Sequence, residues 1–483
     1  MTEKQRKAQI DTLRNQIGWI YRQLPWFSEL EARQANEERN QLLRELSGWI
    51  RESFSATKLH SGPLSPGCSI CGEGYWGCNF INSLCTRKCF YCPQDRSRKE
   101  DQPPRTDGIA FRNPTQHIHF IKKFQIQGVG FSGGEPLLAM ELLLAHLRAI
   151  RRELGSRIYL WVYTNGDRVD RSTLQSLRRA GVNEIRFDLS ARHYDLTPAI
   201  LALHFIPTVT VEIPAIPEDF RQVKDLLPEM DQAGIHFVNL HQLMVDENNY
   251  QALRSRPYHF LHQPGVPVFE SEMAALKLLL HARKRRLRLP INYCSSHYKT
   301  HFQGRGLRIR VAGLIREKPE EITAAGYIRC LRIQDGAAKL RRMIGRIQSA
   351  HCPTHLWNYD EEKNEMAIHH RLLSLADWSS ARLKVQYFFG TMGLKNPKAG
   401  MAENNLILRR VLVDQREGWT PVAAESWQKR YIEKRREREV LKFYYENIPV
   451  AGRNDIERIH QEAQALMGLA AWEEIPRGMP EIF

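Results

Sequence analysis

The chain has 483 residues, enough for a sizeable core and about two to four compact units. Its 42% apolar and 26% charged residues are ordinary for a globular protein. No run approaches the roughly 18 apolar residues of a membrane-spanning helix. The start, MTEKQRKAQID, is charged and lacks the apolar stretch of a secretion signal, so a cytoplasmic location is expected. A net charge of +16 suits phosphate backbones, anionic surfaces or acidic partners. Mixed runs such as Lys429–Glu439 also fit a solvated helix face, so nucleic acid is one candidate partner among several.

In chain order, residues 1–60 read as a helical extension. Ile10, Leu13, Ile17, Ile20 and Leu24 repeat at helical spacing, as do Leu42, Leu43, Leu46, Trp49 and Ile50, with Pro25 between the two stretches. The Gly- and Pro-rich segment 61–67 breaks helix and leads into a dense block of cysteines. Strand-like runs follow at Val129–Ser132, Tyr159–Thr164, Glu184–Ser190, Thr208–Pro214, His236–His241 and Leu289–Tyr293. Helical stretches fill the gaps: Leu137–Leu154, Ser172–Ala180, Phe220–Ala233 and Ser271–Arg286. This alternation predicts parallel β/α units. A full eight-stranded barrel needs about 250 residues, so a partial barrel over 61–315 is expected. Over 316–400 a strand Tyr327–Ile333, a helix Ala337–Ile347, a hairpin around Asp360–Asn364 and a strand near Leu383–Phe389 suggest a small α+β module, ferredoxin-like in its order. Residues 401–483 read as a charged helical tail.

Six of the nine cysteines fall between positions 68 and 92. In a large chain expected in the cytoplasm, such a block argues for metal rather than disulfides. Cys85, Cys89 and Cys92 form C-x3-C-x2-C. Three thiolates on one short loop can hold three corners of a cubane cluster. No fourth cysteine follows closely, which leaves one iron open, as catalytic metals keep a vacant position. A zinc knuckle or a closed cluster is the competing assignment. Next comes Gly133-Gly134-Glu135-Pro136 at the end of the following strand, where glycines allow close backbone approach and Glu135 offers a carboxylate to a cationic group.

In this order the two motifs resemble the radical S-adenosylmethionine (SAM) superfamily over roughly residues 67–310. The resemblance implies that Cys85, Cys89 and Cys92 hold a [4Fe-4S] cluster, that Tyr91 is the aromatic residue before the third cysteine, and that Gly133, Gly134 and Glu135 meet the methionine ammonium of SAM. It also implies cofactor contacts from Thr164 and Asn165 after the next strand, and from Asp188 and Ser190 after the one beyond. Reductive cleavage of SAM to methionine and a 5′-deoxyadenosyl radical, followed by hydrogen abstraction from a substrate, is the implied chemistry. It calls for a low-potential donor of flavodoxin or ferredoxin type and for protection from oxygen.

Cys68, Cys71 and Cys78 are not needed by that cluster. With Cys294, at the end of the last barrel strand, they are expected to hold an auxiliary [4Fe-4S] cluster; zinc, mononuclear iron or free thiols are the rivals. Pro66–Cys71, Asn239–Gln242 and Tyr293–Ser295 resemble a subgroup related to glycyl-radical-enzyme activating proteins. Cys330 and Cys352 read as ordinary core or loop residues. Lys299, Arg305, Arg308 and Arg310 mark a basic patch near the mouth, or plain solvated charge. The chain lacks a cobalamin-binding Asp-x-His-x-x-Gly signature and a C-terminal cysteine array. The expected substrate is a protein or peptide; RNA, a lipid or a small molecule is the runner-up, and a non-catalytic iron–sulfur or zinc protein the rival from another class.

Overall fold

The computed structural model describes residues 3–94, 102–375, 381–402, 404–419 and, near the end, 473, 475, 477, 478, 480 and 482. It forms two compact units. One comprises Met1–Gly304, Gly393–Leu406 and Arg477–Phe483; the other comprises Arg305–Met392 and Ile407–Pro476. The boundary near 304 lies ahead of the expected 315. Among the described residues no helix is long and apolar enough to cross a membrane.

In the first unit, helices α1 (Glu3–Ile17) and α2 (Glu29–Leu46) match the helical spacing of the extension. Ser28 and Glu31 form a reciprocal capping box that starts α2 after Pro25. The extension is not wholly helical, however. It ends in a hairpin, β1 (Arg51–Ser53) and β2 (Lys58–His60), turned by Phe54, Ser55 and Ala56, all at positive φ. Residues 61–65 are irregular as expected, and a helix α3 (Pro66–Glu73) begins at the end of that segment and carries the first cysteines. Ser65 caps it, Pro66 fills its first turn and Gly74, at φ 82°, closes it.

The remaining strands are β3 (Trp76–Asn82), β4 (Arg105–Thr106), β5 (Ile109–Ala110), β6 (Gly128–Gly133), β7 (Tyr159–Thr164), β8 (Glu184–Phe187), β9 (Thr208–Pro214), β10 (Phe237–His241) and β11 (Ile291–Cys294). The sheet order is β1-β2-β11-β10-β9-β8-β7-β6-β3-β4-β5, with every pairing from β11 through β3 parallel. This is a mixed α/β fold with an open parallel barrel. Strand β3, hidden among the cysteines, joins the six expected strands as the first of the series.

Side chains alternate along each strand. One face is apolar: Leu160 and Val162, Ile185 and Phe187, Val209 and Val211, Val238 and Leu240 are fully buried. The other is polar and borders one small cavity, through Trp161 and Tyr163, Arg186, Glu212, Asn239 and His241, and Cys294. Helix α3 lies on this polar face, and its small residues decide how closely. A Cβ on Gly67 would meet the Arg186 guanidinium at 2.4 Å and the Glu184 carboxylate at 2.9 Å, and one on Gly72 would meet the Phe54 ring at 2.0 Å.

In the second unit, β12 (Glu321–Ile322), β13 (Ile328–Gln334), β14 (Trp357–Asp360), β15 (Glu365–Ile368), β16 (Arg382–Leu394) and β17 (Leu406–Trp419) run in the order β14-β15-β13-β16-β17, with β12 also on β13. The helix Ala337–Ser349 buries Leu340, Met343 and Ile347 against Leu331, Ile333 and Val385. Where a ferredoxin-like repeat would place a second helix, the described chain has only the short turn His370–Leu375 before β16. Leu406–Trp419 is a strand, not the start of a helical tail. Residues 420–472 of the expected tail lie outside the described residues.

Replacing Gly67 by Leu should lower the thermal midpoint, because the added atoms push on a buried ion pair at a cost of about 1–3 kcal/mol. Gly345→Ala, where a Cβ meets nothing within 4 Å, is the control and should not destabilise.

Candidate cluster-binding active site

The first group of residues lies where the parallel strands end. Gly133 sits at φ 119°, and a Cβ there would come 2.2 Å from the Asn82 carbonyl oxygen; on Gly134 it would come 1.8 Å from that of Leu84. The glycine pair is therefore required by the chain leading into Cys85, which lies directly on it. The Gly134 and Glu135 amides donate to the Asn82 and Leu84 carbonyls at 3.0 and 2.6 Å.

Glu135 is 1% exposed, and burial raises its pKa. Its carboxylate accepts from the Thr164 hydroxyl at 3.0 and 3.1 Å, the Asn165 amide at 2.8 Å and the Leu137 amide at 3.1 Å. This side chain, expected to face a cation, locks the turn after β7 to the turn after β6. Gly133, Gly134, Glu135, Thr164 and Asn165 thus form one bonded assembly.

The cysteine loop is tied to the same assembly through residues that the motif treats as spacers. Thr86 Oγ1 donates to Asp167 at 2.6 Å, and Arg87 makes two bonds to its carboxylate at 2.7 and 2.5 Å. Arg192 adds a contact at 3.3 Å. The bond from Arg87 brings the Asp167 pKa down to about 2. This contribution to stability is complete above about pH 4 and disappears as the pH falls through about 2. Asn165 Nδ2 donates to Thr86 at 2.9 Å and approaches Cys85 Sγ at 3.8 Å.

On the far side of the loop, the Tyr91 hydroxyl lies 2.9 Å from Asp188 and 2.6 Å from Ser190, and Ser190 donates to Asp188 at 2.5 Å. The loop thereby brings Tyr91, Asp188 and Ser190 together. Asn249 Nδ2 and Asn248 Nδ2 hold the Tyr91 and Pro93 carbonyls, each at 3.0 Å. Cys85 is exposed, whereas Cys89 and Cys92 are half-buried. Burial pushes the Cys89 thiol up to about 11. Asp167, Arg87, Thr86, Asn248 and Asn249 were not expected at the site.

The second group lies on the polar face of the sheet. Cys68 and Cys71, one helical turn apart on α3, and Cys294 at the end of β11 are all buried, while Cys78 on β3 is half-buried. Register places Lys58 of β2 opposite Cys294. Lys58, 1% exposed, donates from Nζ to Cys294 Sγ at 3.1 Å and sits 4.0 Å from the centre of the Tyr298 ring. The Tyr298 hydroxyl reaches Cys71 Sγ at 3.6 Å. Asn239 Nδ2 reaches Cys68 Sγ at 3.3 Å, and Asn292 Nδ2 reaches Cys294 Sγ at 3.5 Å.

Burial opposes charge on Lys58, but the sulfurs of Cys294, Cys68 and Cys71 outweigh it and raise its pKa. Burial pushes the Cys71 thiol up to about 12 and the Cys78 thiol higher, with Glu212 and Cys71 among the charges acting on Cys78. Arg186 bridges Glu184 and Glu212, each at 2.8 Å, and His241 Nε2 lies 2.9 Å from Glu212. Of the expected basic patch, Lys299 borders this cavity. Arg305 and Arg308 instead belong to the second unit, where they cap the Ala324 and Ala325 carbonyls. Cys330 is buried in β13, and Cys352 is half-buried beyond the helix Ala337–Ser349.

Residues 80–201 match the model of the Radical SAM superfamily. The chain carries a radical SAM domain. It is an enzyme of the radical SAM class, whose members use SAM and a [4Fe-4S] cluster. A Methanocaldococcus jannaschii protein, named provisionally as a glycyl-radical enzyme activating enzyme, is 27% identical over 312 residues, 62% of this chain and 80% of that protein. Among solved structures, Streptococcus suis SuiB bound to S-adenosylmethionine aligns at 10% identity with a TM-score of 0.34, over 47% of this chain and 52% of that one. The radical S-adenosylmethionine methyltransferase TsrM from Kitasatospora setae aligns at 13% identity and 0.30, over 53% and 56%. The chain spans about half the length of these solved structures.

Asp167→Ala should free the loop of the radical SAM domain by removing both bonds that hold Arg87. Losing about 1.4 kcal/mol of local stability would speed tryptic cleavage at Arg87 and Lys88 roughly tenfold. Mapping of the fragments by mass spectrometry would detect it.

Proposed function

We propose that this radical SAM enzyme removes a hydrogen atom from a protein or peptide substrate, with Cys85, Cys89 and Cys92 holding the SAM-binding cluster. The observation that carries this reading is the double anchoring of the cysteine loop, by Asp167 on one side and by Tyr91 with Asp188 and Ser190 on the other. An exposed Cys85 beside two half-buried thiols is a soft donor set open on one side, which fits a cluster that must admit a bidentate guest. Held by Cys85, Cys89 and Cys92, such a cluster would supply the electron for reductive cleavage of a carbon–sulfur bond of SAM. Gly133, Gly134 and Glu135 supply the backbone for the methionine end of SAM, with the Glu135 carboxylate holding the turn from behind. Thr164, Asn165, Asp188 and Ser190 present polar groups along the adjoining strand ends, where β/α barrels place their ligands. The name of the M. jannaschii relative supports a polypeptide substrate. A low-potential flavodoxin- or ferredoxin-type donor, a cytoplasmic setting and oxygen sensitivity belong to the same proposal.

Cys68, Cys71, Cys78 and Cys294 form the second part of this proposal, as ligands of an auxiliary [4Fe-4S] cluster. Three of the four thiols are buried around a buried lysine, and four thiolates need compensating charge away from water. Trp161, Tyr163 and Lys299 border the same cavity.

Anaerobic reconstitution should give about eight iron and eight sulfide per chain, falling to about four in Cys68→Ala/Cys71→Ala. That variant should keep its SAM-cluster signal, whereas Cys89→Ala should make no 5′-deoxyadenosine. About four iron in the unaltered chain would refute the auxiliary cluster, and intact SAM under strong reductant would refute the enzyme reading.

Lys58→Met retains the buried stem and removes the charge beside Cys294. The auxiliary potential should move to more negative values in an electron paramagnetic resonance titration, with the iron content unchanged. An unaltered potential would show that Lys58 does not compensate the cluster charge.

A further inference from the structure

In the second unit, Glu321 on β12 faces two adjacent histidines just past the end of β15. Its Oε1 lies 2.7 Å from His370 Nδ1 and 3.1 Å from His369 Nε2. One ligand atom from each of the three residues lies within 4.8 Å of the others. The side chains of Glu321, His369 and His370 are 16%, 18% and 20% exposed, shielded yet open to an entering ion.

The second carboxylate oxygen of Glu321 is held separately. Arg329, opposite Glu321 in the β12–β13 register, donates to Oε2 at 3.0 Å, and the His370 amide donates to it at 3.3 Å. Arg329 is balanced in turn by Glu473 at 2.7 Å, whose other oxygen accepts from the Tyr387 hydroxyl at 2.5 Å. Two carboxylates thus stand against one guanidinium. Fixing one oxygen of a ligating carboxylate from behind, while the other points at imidazole nitrogens, is how metal sites orient their ligands.

We propose that Glu321, His369 and His370 bind a divalent ion of the zinc type, with water completing the coordination. Zinc takes imidazole nitrogen and carboxylate oxygen at about 2.0–2.2 Å. The three atoms need to separate only slightly for an ion to replace the protons they now share. Binding at His369 Nε2 places that ring's proton on Nδ1. This gives up the long bond, 3.3 Å, that Nδ1 accepts from the Arg371 amide. The ion would pin β12 to the end of β15 across the edge of the sheet. The site stands apart from the iron–sulfur reading and neither depends on the other.

The test uses the full chain with its iron–sulfur sites already filled, so that the seven cysteines assigned to them do not compete for zinc. After equilibration with zinc chloride and gel filtration, elemental analysis should find about one zinc per chain in addition to iron. His369→Gln/His370→Gln should bind zinc at least about tenfold more weakly. Zinc should also raise the thermal midpoint of the unaltered chain but not that of Glu321→Gln, a readout that holds if the double variant folds poorly. No zinc retained by the unaltered chain, or equal retention and an equal thermal shift in the variants, would overturn the proposal and leave a purely hydrogen-bonded cluster.

Discussion

The candidate active site depends on one buried carboxylate. Glu135 accepts hydrogen bonds from Thr164, Asn165 and Leu137, so the turns after β6 and β7 move as a single piece. The glycine pair before it lets residues 82–84 lie against this piece, and Asp167 then fixes the loop from Cys85 to Cys92 to it. A carboxylate in so dry a place is costly unless several donors meet it, and here all of them come from backbone and side chains of the protein. Its role is to hold the two turns together.

A different principle governs the polar face of the sheet. Lys58, Arg186, Glu184, Glu212 and His241 are brought out of water together with the thiols, and each charged group has a partner within about 3 Å. Such a network is not a source of net stability, since desolvation offsets most of its attraction. What it provides is a fixed pattern of charge around four sulfurs. The side chains of α3 are small where they face this pattern, so a helix carrying two cysteines can settle on the strands without displacing the ion pairs.

Much of this arrangement could be read from the chain itself. The strands Tyr159–Thr164 and Thr208–Pro214 and the helix Phe220–Ala233 fall where periodicity placed them, because their apolar faces are long and regular. The cysteine block hid two elements. Ser65-Pro66 and Gly74 are ordinary helix start and stop signals, but the glycines and prolines around them read as a breaker. Strand β3 was masked because Gly77, Cys78 and Asn79 weaken its alternation. The polar face had a signal too, in pairs two residues apart: Glu184 and Arg186, Thr210 and Glu212, Asn239 and His241, Asn292 and Cys294. What spacing alone could not reveal was pairing between distant segments. Nothing near Lys58 in sequence points to Cys294, whose place opposite it is set by sheet register, and nothing in Thr86-Arg87 points to Asp167, which a different loop brings to it.

The register between β2 and β11 also bears on biogenesis. Lys58 and Cys294 are 236 positions apart, with the whole parallel sheet between them. During synthesis, Cys68, Cys71 and Cys78 leave the ribosome long before the lysine's partner exists. The early thiols therefore spend the translation of most of the barrel without their final neighbours. Closure of the hairpin strand β2 against β11, the last strand of the sheet to be made, is a late, non-local event. A ligand that needs Cys294 together with the early thiols can therefore be taken up only after β11 has been made.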